Sequence, residues 1–376
     1  MSPIFKSDNL GKYVRIRTGK LDANANDPDG DYPFFTCAVE PLRIASFSYD
    51  CECVLIAGNG DLNAKYYSGK FDAYQRTYIV ESIDKNILDV RYLYYFLSTY
   101  MHKLREMSIG GVIKYIKLNY LTDVVVPLPP LPEQKRIAAI LDKADSIRHK
   151  RQEAVRLTDD LLRSVFLDLF GDPVSNPKGW EEAALIDVAE IVSGVTKGRN
   201  LDGKQTILAP YLRVANVQDG YLNLSEIKEI EVLPSDIVKY RLLDGDILLT
   251  EGGDPDKLGR GTVWREHVED CIHQNHIFRV RIKYYKLLPD FLSVLIGSER
   301  GKRYFLRAAK QTTGIASINS TQLKNFPVLM PSLDLQQRFA KSVSNTQKLK
   351  RRLIETEMTT SYLFSSLLQC AFKGEL

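Results

Sequence analysis

The sequence PLPPLPEQKRIA at residues 127–138 returns as LMPSLDLQQRFA at residues 329–340, and this repeat organises the whole chain. Around it, residues 110–172 align with residues 312–374 at a constant offset of 202 without a gap, with 14 identities in 63 positions. Two unrelated helices that share only a generic pattern would not preserve the Pro-x-Leu-x-x-Gln-x-Arg-x-Ala signature. A repeat of this length indicates a duplicated structural unit.

Each copy of the repeat predicts a long helix. No Pro or Gly interrupts residues 133–170 or 333–372, and Gly171 and Gly374 follow where a helix stop is expected. In the first copy seven of nine heptad a and d positions between Ile137 and Val165 are apolar, which is the period of a coiled-coil seam; the second copy is patchier. A helix of this length, roughly 57 Å, needs a partner to bury its stripe. We expect the two copies to pair antiparallel, because parallel pairing would force the second globular block to bridge the whole helix pair.

The blocks before the two helices, about 1–109 and 173–311, match each other poorly but share an order of features. Gly19 and Gly194 each follow an apolar run, and short β-rich runs bounded by Gly, Asn or Asp come next in both blocks. Helical stretches follow at about 91–106 and 289–310. The predicted fold class is α+β: two similar mixed α/β domains separated by an antiparallel two-helix coiled coil, with pseudo-two-fold symmetry.

Bulk composition limits the function only weakly. The net charge of +4 and pI near 8.6 fit a protein that touches phosphates over part of its surface, although many other proteins look the same. No apolar run approaches the ~20 residues of a membrane helix, and the first residues lack the apolar core of a signal peptide. Five scattered cysteines argue against a disulfide framework. We therefore expect a cytoplasmic protein without a membrane partner.

The doubled helix motif and its surroundings resemble the specificity subunits of type I restriction-modification systems. Besides PLPPLPEQKRIA and its second copy, the resemblance rests on the stretches KLDAN at 20–24, YPFFTC at 32–37, LIAGNG at 55–60, AYQRTY at 73–78 and TTGIASIN at 312–319. It covers essentially the whole chain. The one mild departure is LMPS at 329–332, which stands where the first copy has PLPP.

The resemblance implies the domain organisation and the partners. It implies a first target-recognition domain over residues 1–128, a central conserved helix over 129–172, a second target-recognition domain over 173–328 and a C-terminal conserved helix over 329–376. The implied partners are double-stranded DNA, two methyltransferase subunits and motor-endonuclease subunits. No cofactor is expected in this chain itself. S-adenosylmethionine, ATP and Mg²⁺ are expected on the partner subunits.

Base reading needs Arg, Lys, Asn and Gln side chains on loops, whereas phosphate contacts need only positive charge and backbone N–H groups. For each candidate, a solvated surface side chain is the competing interpretation. In the first block the predicted DNA-binding residues are Lys20, Asn59, Asn63, Lys65, Lys70, Gln75 and Arg76. In the second block they are Lys197, Arg199, Arg213, Asn216, Lys257, Arg260, Arg303 and Arg307.

Three alternatives would make the chain something else: a self-sufficient DNA-cleaving or DNA-modifying enzyme, a protein with a phosphate-binding loop or a zinc site, and a scaffold. A self-sufficient nuclease would use Asp219, Glu226 and Lys228, which imitate an Asp…Glu-x-Lys metal site. A phosphate-binding loop at 198–204 is disfavoured, since Gln205 replaces the hydroxyl that holds Mg²⁺. The Cys51/Cys53 pair and the run CIHQNH at 271–276 fall short of a zinc site, so no metal and no catalytic residue is expected. A coiled-coil scaffold without a DNA role is the third alternative, and the diverged basic loops argue against it.

Overall fold

The computed structural model describes residues 5–110, 113–253, 258–265, 268–312 and 315–376, and the chain divides into two compact units. Unit 1 consists of Met1–Ala154 with Leu353–Leu376, and unit 2 consists of Val155–Arg352. Each globular block is therefore grouped with one segment from each long helix, because a long amphipathic helix buries its apolar stripe against whatever lies beside it.

Unit 1 is built around one mixed sheet. Its strands are β1 (Ser7–Asn9), β2 (Val14–Thr18), β3 (Tyr32–Phe35), β4 (Leu42–Ile44), β5 (Tyr49–Ala57), β6 (Ala64–Ala73), β7 (Thr77–Ser82) and β8 (Val125–Pro127). Six of them form a sheet in the order β2-β7-β5-β6-β3-β4, in which only β3 and β6 are parallel, while β1 and β8 form a separate antiparallel pair.

The helices of unit 1 cover the apolar side of this sheet. They are α1 (Val90–Met107), α2 (Asn119–Thr122) and the first part of α3 (Leu131–Phe170). Helix α1 begins where the Asp89 carboxylate accepts a hydrogen bond from the Tyr92 backbone N–H at 2.9 Å, which is an ordinary N-cap. Its buried Leu93 and Leu97 join Val54 of β5 in one core. The prediction of a helix at about 91–106 is confirmed.

Unit 2 has more and shorter elements. Its strands are β9 (Glu182–Ala184), β10 (Ala189–Ser193), β11 (Ile207–Leu212), β12 (Lys228–Val232), β13 (Ile247–Thr250), β14 (Gly252–Gly253), β15 (Gly261–Val263), β16 (Ile272–His273), β17 (Ile277–Ile282), β18 (Lys310–Thr312), β19 (Ile315–Ser317) and β20 (Pro327–Leu329). Its helices are the last part of α3, α4 (Leu185–Val188), α5 (Pro234–Tyr240), α6 (Pro289–Gly297), α7 (Glu299–Ala308), α8 (Ser320–Lys324) and the first part of α9 (Leu333–Lys373). The helical stretch predicted at about 289–310 is formed by two helices, α6 and α7, and Ser298 with extended backbone angles separates them.

The two units repeat one strand arrangement. The order β2-β7-β5-β6 of unit 1 corresponds to β10-β17-β13-β15 of unit 2, and the parallel pair β3–β6 corresponds to the parallel pair β11–β16. The pair β1–β8 likewise corresponds to β9–β20. The prediction of two similar mixed α/β domains is confirmed.

Within each unit the two long helices run antiparallel. In unit 1 Arg136, near the start of α3, donates to the Leu376 carbonyl at 2.7 Å, and Arg151, further along α3, donates to the Thr356 carbonyl at 2.8 Å. In unit 2 Phe166, near the end of α3, packs against Phe339, near the start of α9, with ring centroids 5.5 Å apart. Residue numbers rise along one helix as they fall along the other, as predicted.

A buried glutamine explains much of the repeated motif. The Gln134 amide nitrogen donates to the carbonyls of Ile87 and Pro129, both at 2.8 Å, and its oxygen accepts from the Asp89 N–H at 2.9 Å. In unit 2 the equivalent Gln336 bonds in the same way to the carbonyls of Lys286 and Pro331 and to the Leu288 N–H. Each glutamine ties the first turn of a long helix to the loop before α1 or α6.

Candidate nucleic-acid interface

Hydrogen bonds tie four connections of unit 1 into one surface, which we name the first loop cluster (residues 19–21, 36–37, 58–63 and 74–76). The Gly58 N–H donates to the Arg76 carbonyl at 2.8 Å, and the Gln75 N–H donates to the Leu21 carbonyl at 2.9 Å. The Cys37 thiol donates to the Asn59 side-chain oxygen at 2.8 Å. The main chain of these loops is therefore held in place by bonds between loops that are distant in sequence.

A glycine makes the closest of these approaches possible. A Cβ atom added to Gly19 would lie 2.0 Å from the Ala73 carbonyl oxygen, and one added to Gly194 in unit 2 would lie 1.8 Å from the His273 carbonyl oxygen. No side chain fits at either distance. The two glycines that the sequence comparison aligned thus have the same structural task in the two units.

Three predicted residues of the first loop cluster point their side chains to solvent. Lys20, Gln75 and Arg76 are exposed, and their side chains make no hydrogen bond within the part of the chain that the structure describes. The Gln75 amide, the Arg76 guanidinium and the Lys20 ammonium are therefore available to an external partner. This is the combination that base edges and phosphates require.

Three other predicted residues hold the cluster together. The Asn63 amide donates to the Cys37 and Asp61 carbonyls, both at 2.9 Å, and the Lys65 ammonium donates to the Asn63 side-chain oxygen. Burial lowers the pKa of Lys65 because the charged form loses water. Asn59, Asn63 and Lys65 are only partly exposed, and their side-chain hydrogen bonds support the loops of the cluster.

Lys70 lies away from the cluster, on β6, where its ammonium stacks over the Phe47 ring at 4.7 Å. Its exposed position and the cation–π contact are those of an ordinary surface lysine.

Unit 2 has an equivalent surface, the second loop cluster (residues 194–197, 213, 251 and 274–276). The Glu251 N–H donates to the His276 carbonyl at 3.0 Å, and the Asn275 N–H donates to the Val195 carbonyl at 2.9 Å. These bonds match those from Gly58 to Arg76 and from Gln75 to Leu21 in unit 1. Lys197 is exposed on this cluster, as predicted for a side chain that meets a partner.

Most other predicted residues of unit 2 are engaged with the protein itself. Arg199 forms a two-pronged ion pair with Asp236, at 2.5 and 3.2 Å, and its guanidinium lowers the pKa of that carboxyl. Arg213 donates to Glu226 at 2.7 Å, and Arg260 donates to the Gln218 oxygen at 3.3 Å. An engaged arginine contacts a phosphate or base only by giving up or sharing its present partner.

Asn216 has no polar atom left for a partner. It is buried, its oxygen accepts from the Arg213 N–H at 2.8 Å, and its nitrogen donates to the carbonyls of Asn223 and Glu226. The side chain stabilises the turn of residues 213–226, and the proposed DNA contacts do not include it.

The last predicted residues of unit 2 fall on α7 or outside the described chain. Arg303 pairs with Glu299 one turn earlier, whereas Arg307 is exposed and its side chain has no hydrogen bond to a described residue. Lys257 lies outside the described residues.

Sequence reasoning missed two residues of the second loop cluster. Asn275 and His276 occupy the positions that Gln75 and Arg76 occupy in unit 1, at an offset of 200. The sequence signal is the parallel between the β-rich runs RTYIV at 76–80 and HIFRV at 276–280, each of which follows a polar pair or begins with it.

Glu226, a carboxylate that the nuclease alternative needs as a metal ligand, is already paired with two cations. Glu226 is bound by Arg213 at 2.7 Å and by Lys228 at 3.6 Å, and Arg213 chiefly lowers the pKa of Glu226. Among the residues that the structure describes, no group of three or more His, Cys, Asp or Glu side chains is arranged to hold a metal ion. A carboxylate neutralised by two cations is a poor start for a metal site.

These observations define a class of protein: a chain with two α/β units of one design, each with diverged polar loops on the same framework. The chain belongs to the family of the type I restriction modification DNA specificity domain, whose model matches residues 5–157 and 177–358. Both matched regions combine a globular block with part of a long helix.

Curated relatives are specificity subunits of type I restriction enzymes. The chain is 46% identical over 138 residues to the EcoDI subunit of Escherichia coli, covering 37% of this chain and 30% of that protein. It is 22% identical over 298 residues to the EcoKI subunit of E. coli strain K12, covering 74% and 63%. It is 24% identical over 377 residues to the MjaVIII subunit of Methanocaldococcus jannaschii, covering 91% and 87%. The chain thus spans less than two thirds of the EcoDI and EcoKI subunits.

Solved structures share the fold. The crystal structure of a type I restriction-modification S subunit from M. genitalium aligns with a TM-score of 0.62 at 15% identity, covering 99% of this chain and 96% of that one. A chain from a study of complex assembly and conformational transition in the type I R-M system aligns with a TM-score of 0.54 at 17% identity, covering 100% and 99%. Among the described residues, no helix is both long enough and apolar enough to cross a bilayer.

Proposed function

We propose that this chain is the DNA specificity subunit of a type I restriction-modification complex, and that it does no chemistry itself. In this proposal each unit recognises one half of an asymmetric two-part DNA target through its loop cluster. The chain also provides the surface on which methyltransferase and motor-endonuclease subunits assemble. The complex works in the cytoplasm, and S-adenosylmethionine, ATP and Mg²⁺ are bound by those partners.

One observation carries the proposal. The two loop clusters have matching main-chain hydrogen bonds, yet their exposed side chains differ. A shared frame with different polar side chains is what two readers of different half-sites need, since the frame sets position and the side chains set sequence.

The long helices support a fixed gap between the half-sites. Helix α3 has 40 residues and α9 has 41, and both contribute to unit 1 and to unit 2. We propose that the paired helices keep the unread spacer constant, since a helix has a defined rise per residue.

The test is the methylation pattern of a host that carries the complete system. We expect adenine methylation at a two-part motif with a constant unread gap, and no methylation by the purified chain alone. A one-part motif, or metal-dependent DNA cleavage by the lone chain that Glu226→Gln abolishes, would overturn the proposal in favour of a self-sufficient enzyme.

A second experiment addresses the spacer. Four residues, about one helical turn, are inserted near Thr158 in α3 and at the facing level of α9. We expect a longer gap, or loss of methylation, with both half-sites keeping their bases. Altered bases in either half-site would contradict the role of the helices.

A further inference from the structure

The turn before β7 and the turn before β17 have the same main-chain frame. In unit 1 the frame consists of four hydrogen bonds: Gly58 N–H to the Arg76 carbonyl, Tyr74 N–H to the Phe35 carbonyl, Gln75 N–H to the Leu21 carbonyl and Thr77 N–H to the Tyr74 carbonyl. In unit 2 the four equivalent bonds are Glu251 N–H to the His276 carbonyl, Gln274 N–H to the Leu212 carbonyl, Asn275 N–H to the Val195 carbonyl and Ile277 N–H to the Gln274 carbonyl. All eight lie between 2.8 and 3.0 Å.

The side chains on this common frame differ in kind. Arg76 and Gln75 are exposed and make no side-chain hydrogen bond to a described residue. In unit 2 the His276 Nδ1 atom lies 2.7 Å from the Glu251 carboxylate, and the Asn275 amide nitrogen lies 3.4 Å from His276 Nε2. Glu251 takes the place of Gly58, so the acidic partner exists only in unit 2.

The hydrogen bonds among Glu251, His276 and Asn275 indicate which ring nitrogen of His276 donates and which accepts. If the carboxylate of Glu251 accepts from Nδ1–H, then Nε2 carries the lone pair that the Asn275 amide faces. Unit 1 therefore presents a forked cation with a free amide, whereas unit 2 presents an amide, an imidazole and a carboxylate linked in a row.

We propose that this turn is the base-reading element of each unit, resting on the proposed function above. Arg76 reads a guanine through its O6 and N7 atoms, which is the pairing that the guanidinium fork favours, and Asn275 reads an adenine in the other half-site. The held backbone positions both side chains before DNA arrives, and His276 and Glu251 orient Asn275. The residue pairs 75–76 and 275–276 then determine part of the sequence difference between the half-sites.

The test measures discrimination position by position. The full chain with its methyltransferase partner is titrated against the wild-type target and against duplexes in which each base pair of the target is changed singly. For Arg76→His we expect discrimination at one guanine of one half-site to fall on the order of ten- to a hundredfold, with the other half-site unchanged. For Asn275→Ala we expect a similar loss at one adenine of the other half-site. Each variant's untouched unit is its internal control.

Three further variants separate base reading from charge and from folding. Arg76→Lys keeps the charge but not the fork, so it should lose discrimination at the same guanine while binding at high and low salt remains similar to wild type. Arg15→His makes the same change as Arg76→His at an exposed arginine of β2, outside the first loop cluster, and should leave discrimination unchanged. Gln75→Asn provides a milder change if Arg76→His does not fold.

The outcomes are distinct for the two proposals. A uniform loss of affinity without a change at any single base pair would mean that the turn contacts only phosphates, and would overturn this inference. A wild-type complex that shows no two-part target at all would overturn the proposed function instead.

Discussion

Unit 1 has one continuous six-stranded sheet, whereas the equivalent strands of unit 2 are divided between a four-stranded and a three-stranded sheet. The difference lies in one strand. β6 pairs with β5 from Ala64 to Phe71 and with β3 at its last two residues. In unit 2 the same two pairings are made by separate strands, β15 with β13 and β16 with β11, with the buried Trp264 in the interval between β15 and β16.

This comparison shows which part of the framework the loop clusters need. The middle of the strand is replaced in unit 2, but its end, where Ala73 approaches Gly19 or His273 approaches Gly194, is kept. The turn follows directly after that end, and its hydrogen bonds join it to Leu21, Phe35 and Gly58 in unit 1 and to Val195, Leu212 and Glu251 in unit 2. The framework can therefore vary elsewhere while the loops stay in position.

The largest effect is expected from filling the close approach. Gly194→Ala should reduce the free energy of unfolding by about 3–5 kcal/mol, because its Cβ would collide with the His273 carbonyl at 1.8 Å. Gly19→Ala should act similarly in unit 1. Urea denaturation measures both, and Gly297→Ala, whose Cβ meets nothing within 4 Å, is the control. If Gly194→Ala were as stable as Gly297→Ala, the shared close approach would be refuted.

The buried glutamines should come next. Gln336→Leu should reduce the free energy of unfolding by roughly 3 kcal/mol. The leucine has a similar volume, but it leaves three backbone groups without the hydrogen bonds that Gln336 makes to them. Gln134→Leu should cost about the same if the two units share this device. The exposed neighbour Gln337 offers the control Gln337→Leu, which should change the unfolding midpoint little. Equal effects of the two substitutions at 336 and 337 would contradict the assigned role.

The third prediction concerns a difference between the units. His273 stands where unit 1 has Ala73, and burial lowers its pKa to about 4 despite carbonyl oxygens near both ring nitrogens. The unfolded chain binds this proton at about pH 6.5, so the stability contribution is complete above that pH. It is lost as the pH falls towards 4, by roughly 2–3 kcal/mol.

Denaturation series at several pH values test this sign. The His273→Gln variant lacks the titrating ring and should show a shallower loss of stability between pH 6.5 and 4 than wild type. Identical pH profiles would show that the buried imidazole does not titrate in this range.

The smallest effect is expected on the helix surface. Lys350 pairs with Asp159 across the two helices of unit 2 at 2.6 Å, but both side chains are partly exposed. Lys350→Met should therefore cost less than about 1 kcal/mol, with the loss reduced by salt. Lys348→Met, at an exposed lysine with no hydrogen bond or ion pair to a described residue, is the matched control. A loss several times larger would mean that this pair orders the helices.

The predictable part of the candidate site was the part that depends on residue type and chain order. Lys20, Gln75, Arg76 and Lys197 are polar residues of predicted turns, and all four are exposed on the loop clusters. Arg199 and Asn216 looked equally suitable by type. The arginine's partner, Asp236, lies 37 positions away in the sequence. The asparagine's three backbone partners lie 3 to 10 positions away, in a turn whose shape the residue types do not reveal.

By itself the sequence determined the duplication, the α+β class and the two long helices, because breakers, apolar periodicity and repeats act locally along the chain. It also favoured the antiparallel direction, because parallel pairing would force the second globular block to bridge the whole helix pair. Only the tertiary structure decided which polar side chains face solvent and which are consumed by internal bonds. The bonds of Arg199 to Asp236 and of Arg260 to Gln218 join residues 37 and 42 positions apart, so their energies appear only once the sheets and loops have been assembled.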